Sequence, residues 1–102
     1  MSFQIHFHDV PHSESIRRNC ERWAALLTEE FPETSKYEVT LSHSKGDHAA
    51  HVHVTGKDID VAAAAEKREL SEAVTEGFER LRRQLRKHHD KQIFARRRNA
   101  KS

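Results

Sequence analysis

One stripe of large apolar side chains near the end of the chain constrains the fold more than any other feature. Between Glu69 and Lys91 these side chains recur every three to four residues, which is the spacing of one face of an α-helix. They are Leu70, Val74, Phe78, Leu81 and Leu85. At about 1.5 Å per residue the helix would be roughly 34 Å long. Because only one face is apolar, this helix must pack against another layer of the protein.

The polar face of this predicted helix changes sign along its length. Its first half carries Glu69, Glu72, Glu76 and Glu79, and its second half carries Arg80, Arg82, Arg83, Arg86, Lys87 and Lys91. Like charges four residues apart, as at Arg82 and Arg86, destabilise a helix by about as much as opposite charges stabilise it. Such self-repelling charge favours a polyanionic partner, although a charged helix face is also commonly just solvated. The residues alone leave both interpretations open.

Four earlier segments alternate apolar and polar side chains with period two, which is typical of strands that bury one face. Their apolar members are Phe3, Ile5 and Phe7, then Tyr37, Val39 and Leu41, then Ala50, Val52 and Val54, and finally Ile59, Val61 and Ala63. Turn-forming residues at 44–47 and 56–58 separate the last three segments. The alanine run after Val61 leaves the end of the fourth strand open, because it could instead begin the next helix.

Another amphipathic helix is predicted between the first two strands. Its apolar face is formed by Ile16, Cys20, Trp23, Leu27 and Phe31. Ser13 is a suitable N-cap, and Pro32 ends the helix. The element order β-α-β-β-β-α predicts an α+β fold of two layers, with a four-stranded mixed sheet and both helices packed on one face. Trp23 and Phe78 are therefore predicted to be packing residues.

Histidines are concentrated on the face of the sheet that the helices leave open. This face carries His6, His8, Thr40, His51, His53 and Asp60. Imidazoles two residues apart could converge on a metal ion, could contact RNA when protonated, or could simply be solvated. Solvated polar positions are the commoner case, so the prediction is no metal site. His88 and His89 are predicted to extend the basic end of the last helix.

Several classes of function are excluded by what the sequence lacks. It has no glycine-rich phosphate loop, nucleophile elbow or metalloprotease motif, so we predict neither an enzyme nor a cofactor nor a small-molecule substrate. The single Cys20 provides neither a disulfide framework nor a cysteine zinc site. The polar N-terminus and the absence of a long apolar run predict a cytoplasmic protein without membrane association.

Four segments, in order, resemble the ribosome hibernation-promoting and ribosome-associated inhibitor proteins of bacteria, the factor Y-like or sigma-54 modulation family. They are FQIHF at residues 3–7, VPHSE at 10–14, VTGKDI at 54–59 and LRRQLRKH at 81–88. The resemblance extends over residues 1–91 and agrees with the predicted β-α-β-β-β-α order. It implies a short family member without the C-terminal dimerisation domain of the long forms.

The resemblance implies a protein that binds the small ribosomal subunit of the 70S ribosome in stationary-phase or stressed cells. There it would occupy the mRNA and tRNA channel and block initiation. The family's basic helix contacts rRNA, and the motif transfers this role to Arg82, Arg83, Arg86, Lys87 and His88. Arg80 and Lys91 are added to the predicted rRNA-binding set from charge and helix face.

The predicted organisation is a ribosome-binding domain at residues 1–91, followed by a basic, flexible tail at 92–102. Away from the ribosome we expect a monomer, although pairing through an open sheet edge is a further possibility. The alternative function is a protein-interaction module that docks an acidic partner through the same basic helix. Binding to rRNA would weaken steeply with salt and follow ribosome fractions in a gradient, whereas a protein partner would migrate elsewhere.

Overall fold

The predicted order of elements is confirmed in the computed structural model. The model describes the backbone of residues 1–100 and the side chains of residues 1–90. Its elements are β1 (Ser2–His8), α1 (Glu14–Glu30), β2 (Thr34–Ser44), β3 (Asp47–Gly56), β4 (Ile59–Lys67) and α2 (Leu70–Ala100). The predicted tail at residues 92–102 lies outside the part described with side chains, and its separation from the domain stays a prediction.

The four strands form one mixed sheet in the order β1-β2-β3-β4. The crossover through α1 makes β1 and β2 parallel, while the two short turns make β2, β3 and β4 antiparallel. The register aligns Ile5 with Val39 and Val39 with Val52, so alternate residues on neighbouring strands face the same side. The sheet is therefore apolar on the face beneath the helices.

The core lies between this apolar face and the two helices. Its largest side chains, all 0% exposed, are Tyr37, Val39 and Leu41 of β2, Val52 and Val54 of β3, Leu27 of α1, and Val74, Phe78, Leu81 and Leu85 of α2. Four of the five residues in the apolar stripe that predicted α2 are thus fully buried, and Leu70, at the start of the helix, is partly buried. The Ser13 cap is also confirmed, since its Oγ accepts a hydrogen bond from the Ile16 N–H at 3.4 Å.

The alanine run completes β4 instead of beginning α2. Ala63 and Ala65 are buried under α2, while Ala62 and Ala64 face the open side of the sheet. Alanine favours helix intrinsically, but pairing with β3 through Lys67 decides the structure here. Small side chains also let α2 approach closely, because a Cβ at Gly77 would lie only 3.6 Å from the Ala50 Cβ.

Gly56 is required where β3 meets the loop that follows α1. A Cβ at this position would lie 2.0 Å from the carbonyl oxygen of Glu33. This distance is too short for any residue other than glycine. The Lys57 N–H also donates to that oxygen at 3.1 Å. The turn between β3 and β4 is therefore fastened to the segment between α1 and β2, directly below the C-terminal half of α2.

Candidate RNA-binding surface

The basic half of α2 is positioned by the core and by the neighbouring helix. α2 packs over β3 and β4, whereas α1 packs over β1 and β2 and contacts α2 along its side. Burial of Leu81 and Leu85 fixes the rotation of α2, because these two residues define the side that faces the sheet. The residues between them are consequently held toward α1 or toward solvent.

Arg82 and Arg86 converge on one carboxylate of α1. The Nε of Arg82 donates to both oxygens of Glu30 at 3.1 and 3.2 Å, and its Nη2 lies 3.0 Å from Oε2. The Nη2 of Arg86 donates to Oε1 of Glu30 at 3.1 Å. The hydrogen bond from Arg82 is the main cause that lowers the pKa of Glu30. Desolvation opposes this shift, and the hydrogen bond from Arg86 adds to it. One negative charge shared by two guanidiniums leaves this site net positive.

Arg83 and Lys87 form the outer part of the basic face. Both side chains are exposed, and neither makes an ion pair or a hydrogen bond within residues 1–90. They are four residues apart and so lie one above the other on the helix. We call Arg82, Arg83, Arg86 and Lys87 the cationic face of α2.

Arg80 points away from the cationic face and toward β4. Its Nη1 donates to the carbonyl oxygen of Ala64 at 2.7 Å, and its Nη2 donates to Glu76 at 3.1 Å. Lys67 pairs with the same Glu76 at 3.3 Å, and its hydrogen bond is the main cause that lowers the pKa of that carboxyl. Arg80 thus fastens α2 to the sheet edge, and the structure does not bring it together with the other predicted site residues.

His88 and His89 contact loops of their own chain. The Nε2 of His88 lies 3.1 Å from the carbonyl oxygen of Asp58, a geometry in which the ring nitrogen must donate. The Nδ1 of His89 lies 3.1 Å from the Glu33 carboxylate, and its ring meets Phe31 edge-on at 5.9 Å. Both imidazoles therefore hold α2 against the loops below it. The predicted contribution of Lys91 lies outside the described side chains.

Trp23 and three arginines line a groove between the helices. The indole lies parallel to the ring of Phe78, with an interplanar angle of 5° and centroids 5.5 Å apart. As predicted, it packs against the core, but it remains partly exposed. Together with Glu79, Arg82, Arg83 and Arg86 it encloses an open groove of about 270 Å³.

Sequence patterns did not identify Trp23 and Glu30 as parts of this surface. Trp23 has core spacing, which hides its exposed edge. Glu30 is separated from Arg82 by 52 residues, so only the side-by-side placement of the two helices reveals their contact. The sequence did predict that both helices pack on the same face of the sheet. This prediction was the only signal that an ion pair between the two helices could form.

The open face of the sheet carries ion pairs between histidines and carboxylates. His53 pairs with Asp60, and His6 lies 3.4 Å from Glu38. Among the residues with described side chains, no group of three or more His, Cys, Asp or Glu is arranged to hold a metal ion. Burial raises the pKa of Cys20 to about 12, so its thiol stays protonated.

No helix in the described part of the chain is both long enough and apolar enough to cross a membrane.

Comparisons with known proteins agree with the resemblance seen in the sequence. The chain is similar in structure to a ribosomal subunit interface protein from Coxiella burnetii, with a TM-score of 0.82 and 20% identity, covering 88% of this chain and 99% of that one. It is also similar to the N-terminal domain of Protein Y from Thermus thermophilus, with a TM-score of 0.77 and 20% identity, covering 86% of this chain and 99% of that one. Comparison with curated protein sequences gives no match.

At such low identity the solved structures confirm the predicted fold alone. Membership rests on the family model described as Sigma 54 modulation protein / S30EA ribosomal protein, which matches residues 3–93. That range contains all of β1 but its first residue, the next four elements, most of α2 and the whole cationic face. The chain therefore belongs to the Sigma 54 modulation protein / S30EA ribosomal protein family.

Proposed function

We propose that this chain is a ribosome-associated translation inhibitor that binds the small ribosomal subunit through the cationic face of α2. In this proposal it acts as a monomer, occupies the channel for mRNA and tRNA, and blocks initiation during hibernation. Family membership supports the association with the ribosome. The observation that carries the RNA contact is the set of four cations on α2, which form ion pairs with Glu30 alone among residues 1–90.

Counterion release supplies the driving force for this contact. Each phosphate neutralised by Lys or Arg frees condensed cations, which gives affinity without sequence recognition. Arg82 and Lys87 are separated by roughly 8 Å along the helix axis, so the face can meet more than one phosphate. Arginine can also stack on unpaired bases, which suits the irregular surface of folded rRNA.

Rigidity of α2 supports recognition by shape. Its apolar side is buried, Arg80 fastens it to β4, and His88 and His89 fasten it to the loops beneath. The backbone positions of these cations therefore keep a fixed spacing, so little backbone entropy is lost when they meet the RNA. Inhibition by steric occlusion needs no reacting group, so the fold acts as a scaffold for this surface.

Charge reversal of the three arginines tests the proposal. The test variant carries Arg82→Glu, Arg83→Glu and Arg86→Glu. A control with the same change in net charge carries Lys36→Glu, Lys45→Glu and Arg68→Glu, which are exposed positions away from the cationic face of α2. In sucrose gradients the test variant should leave the small-subunit fractions, while the control should migrate with them as the wild type does.

Three results would contradict the proposal. The first is a test variant that keeps its fold by circular dichroism and still co-sediments at the wild-type level. The second is a wild-type protein that never follows ribosomal fractions and instead elutes with an acidic protein, as the alternative function requires. Equal losses in the test and control variants would show that net charge acts without a defined contact, and this too would argue against the cationic face.

A further inference from the structure

We infer that the groove between α1 and α2 binds one unpaired nucleotide of the RNA, with its base against Trp23 and its phosphate on the arginines. This inference rests on the proposed function and deepens it, because it adds a stacking site to a face otherwise defined by charge. The groove is lined by Trp23, Glu79, Arg82, Arg83 and Arg86 and has a volume of about 270 Å³. The groove is open to solvent and has room for a single ring system.

Trp23 has the properties of a stacking platform. One side of the indole is backed by the fully buried ring of Phe78, which lies parallel to it. The partly exposed indole lines the α2 groove and also a shallow depression with Asn19, Arg22 and Leu26 on α1. A rigid aromatic surface held in place by the core can stack a base with little loss of side-chain entropy.

The walls of the groove fit the rest of a nucleotide. Arg83 carries a guanidinium with no partner within the described side chains, and Arg82 and Arg86 share the single carboxylate of Glu30. This end of the groove is therefore net positive and suits a phosphate. An aromatic floor beside guanidiniums matches a nucleotide better than it matches an acidic peptide, which offers carboxylates but few planar rings.

Glu79 adds a preference among the bases. It lies four residues before Arg83, so the acidic and basic ends of the groove are roughly 6 Å apart along the helix. Its carboxylate makes no hydrogen bond within residues 1–90 and can accept one from an exocyclic amino group. Cytosine has such a group and uracil lacks one. The groove should therefore prefer cytidine to uridine, two pyrimidines of similar size.

The only tryptophan of the chain reports directly on this site. We would titrate the full chain with an octamer of cytidylate, an octamer of uridylate and an abasic octamer of the same length, and follow Trp23 emission. Stacking of one base should quench the emission and tighten binding roughly 5- to 150-fold relative to the abasic octamer. Glu79→Gln should reduce the preference for cytidylate without abolishing the quenching by either octamer.

Variants at Trp23 separate stacking from packing. Because the Trp23 variants have no tryptophan, their binding and that of the wild type would be compared by the fluorescence anisotropy of end-labelled octamers. Trp23→Leu should lose the advantage of the base-containing octamers while binding the abasic octamer like the wild type. Trp23→Phe keeps an aromatic ring on Phe78 and should retain part of that advantage. Equal affinity of all three octamers for the wild type, unchanged emission at saturation, or no binding of any octamer would overturn the inference.

The proposed function is judged separately, because co-sedimentation of the wild type with small subunits does not require the stacking site. An octapeptide of glutamate that binds as tightly as cytidylate, with the same dependence on Trp23, would also overturn the inference in favour of an acidic protein. Binding of cytidylate with quenching, alongside weak binding of the peptide, would support it.

Discussion

Replacing Glu30 with glutamine should strengthen binding to the small subunit. In the free protein this carboxylate holds Arg82 and Arg86, with N–O distances of 3.0 and 3.1 Å. A phosphate that meets these guanidiniums must compete with Glu30 and is repelled by its charge. The side chains of the two arginines are 45% and 61% exposed, so solvent screens each pair and keeps it weak.

The expected gain in affinity follows from the free energy that the two ion pairs contribute. Exposed ion pairs contribute about 0.2 to 1 kcal/mol each, so releasing two arginines should tighten binding roughly 2- to 30-fold at constant salt. The same substitution should lower the free energy of unfolding by a similar amount, because the link between α1 and α2 is lost. Binding and stability should thus change in opposite directions.

Glu29→Gln is the matched control for this prediction. Glu29 is the exposed neighbour of Glu30 on α1, makes no ion pair within residues 1–90, and loses the same charge on substitution. At about 0.15 M salt, screening over roughly 8 Å should keep its effect on affinity small. Affinity would be measured from the fraction of protein that pellets with purified small subunits. An unchanged or weakened affinity for Glu30→Gln, or an equal gain for Glu29→Gln, would refute the competition between Glu30 and phosphate.

Three further predictions concern stability and can be measured by urea unfolding. Gly77→Ala should raise the free energy of unfolding by about 0.5 to 1 kcal/mol, because its Cβ would make ordinary contact with Ala50 while the helix gains propensity. Gly56→Ala should lower the free energy of unfolding strongly, since its Cβ would overlap the Glu33 carbonyl oxygen. Equal changes in the free energy of unfolding for the two alanine variants would contradict the packing described. The hydrogen bond from Arg82 lowers the pKa of Glu30 on folding. The stabilising contribution of Glu30 should therefore be fully present above its unfolded pKa and should vanish as the pH falls through the lower folded value. A difference between wild type and Glu30→Gln that persists unchanged in acid would argue against this ion pair.

The fold was predictable because its periodicities are strong and local. Alternation at Tyr37, Val39 and Leu41 and the stripe through Phe78 each specify which side of an element is buried. The end of β4 was less certain, because alanines have no pattern of their own. Pairing with β3 settles it, and that pairing depends on residues elsewhere in the chain.

The candidate site was predictable in its charge and not in its contacts. A helical wheel places Arg82, Arg83 and Arg86 near one another, and the structure brings all three to one groove. The helical wheel cannot show that the Arg80 side chain turns to the Ala64 carbonyl, or that His88 reaches the Asp58 carbonyl. These contacts join distant parts of the sequence, so they emerge only when the layers are packed.

The salt dependence of binding to purified small subunits tests the central claim most directly. If four cations of α2 neutralise phosphates, the plot of log affinity against log salt should have a slope of roughly −3 to −4. A variant with Arg82→Gln, Arg83→Gln and Arg86→Gln should lose roughly 2 to 3 units of that slope. A shallow wild-type slope, or the same slope in the variant, would contradict an RNA contact made by this face.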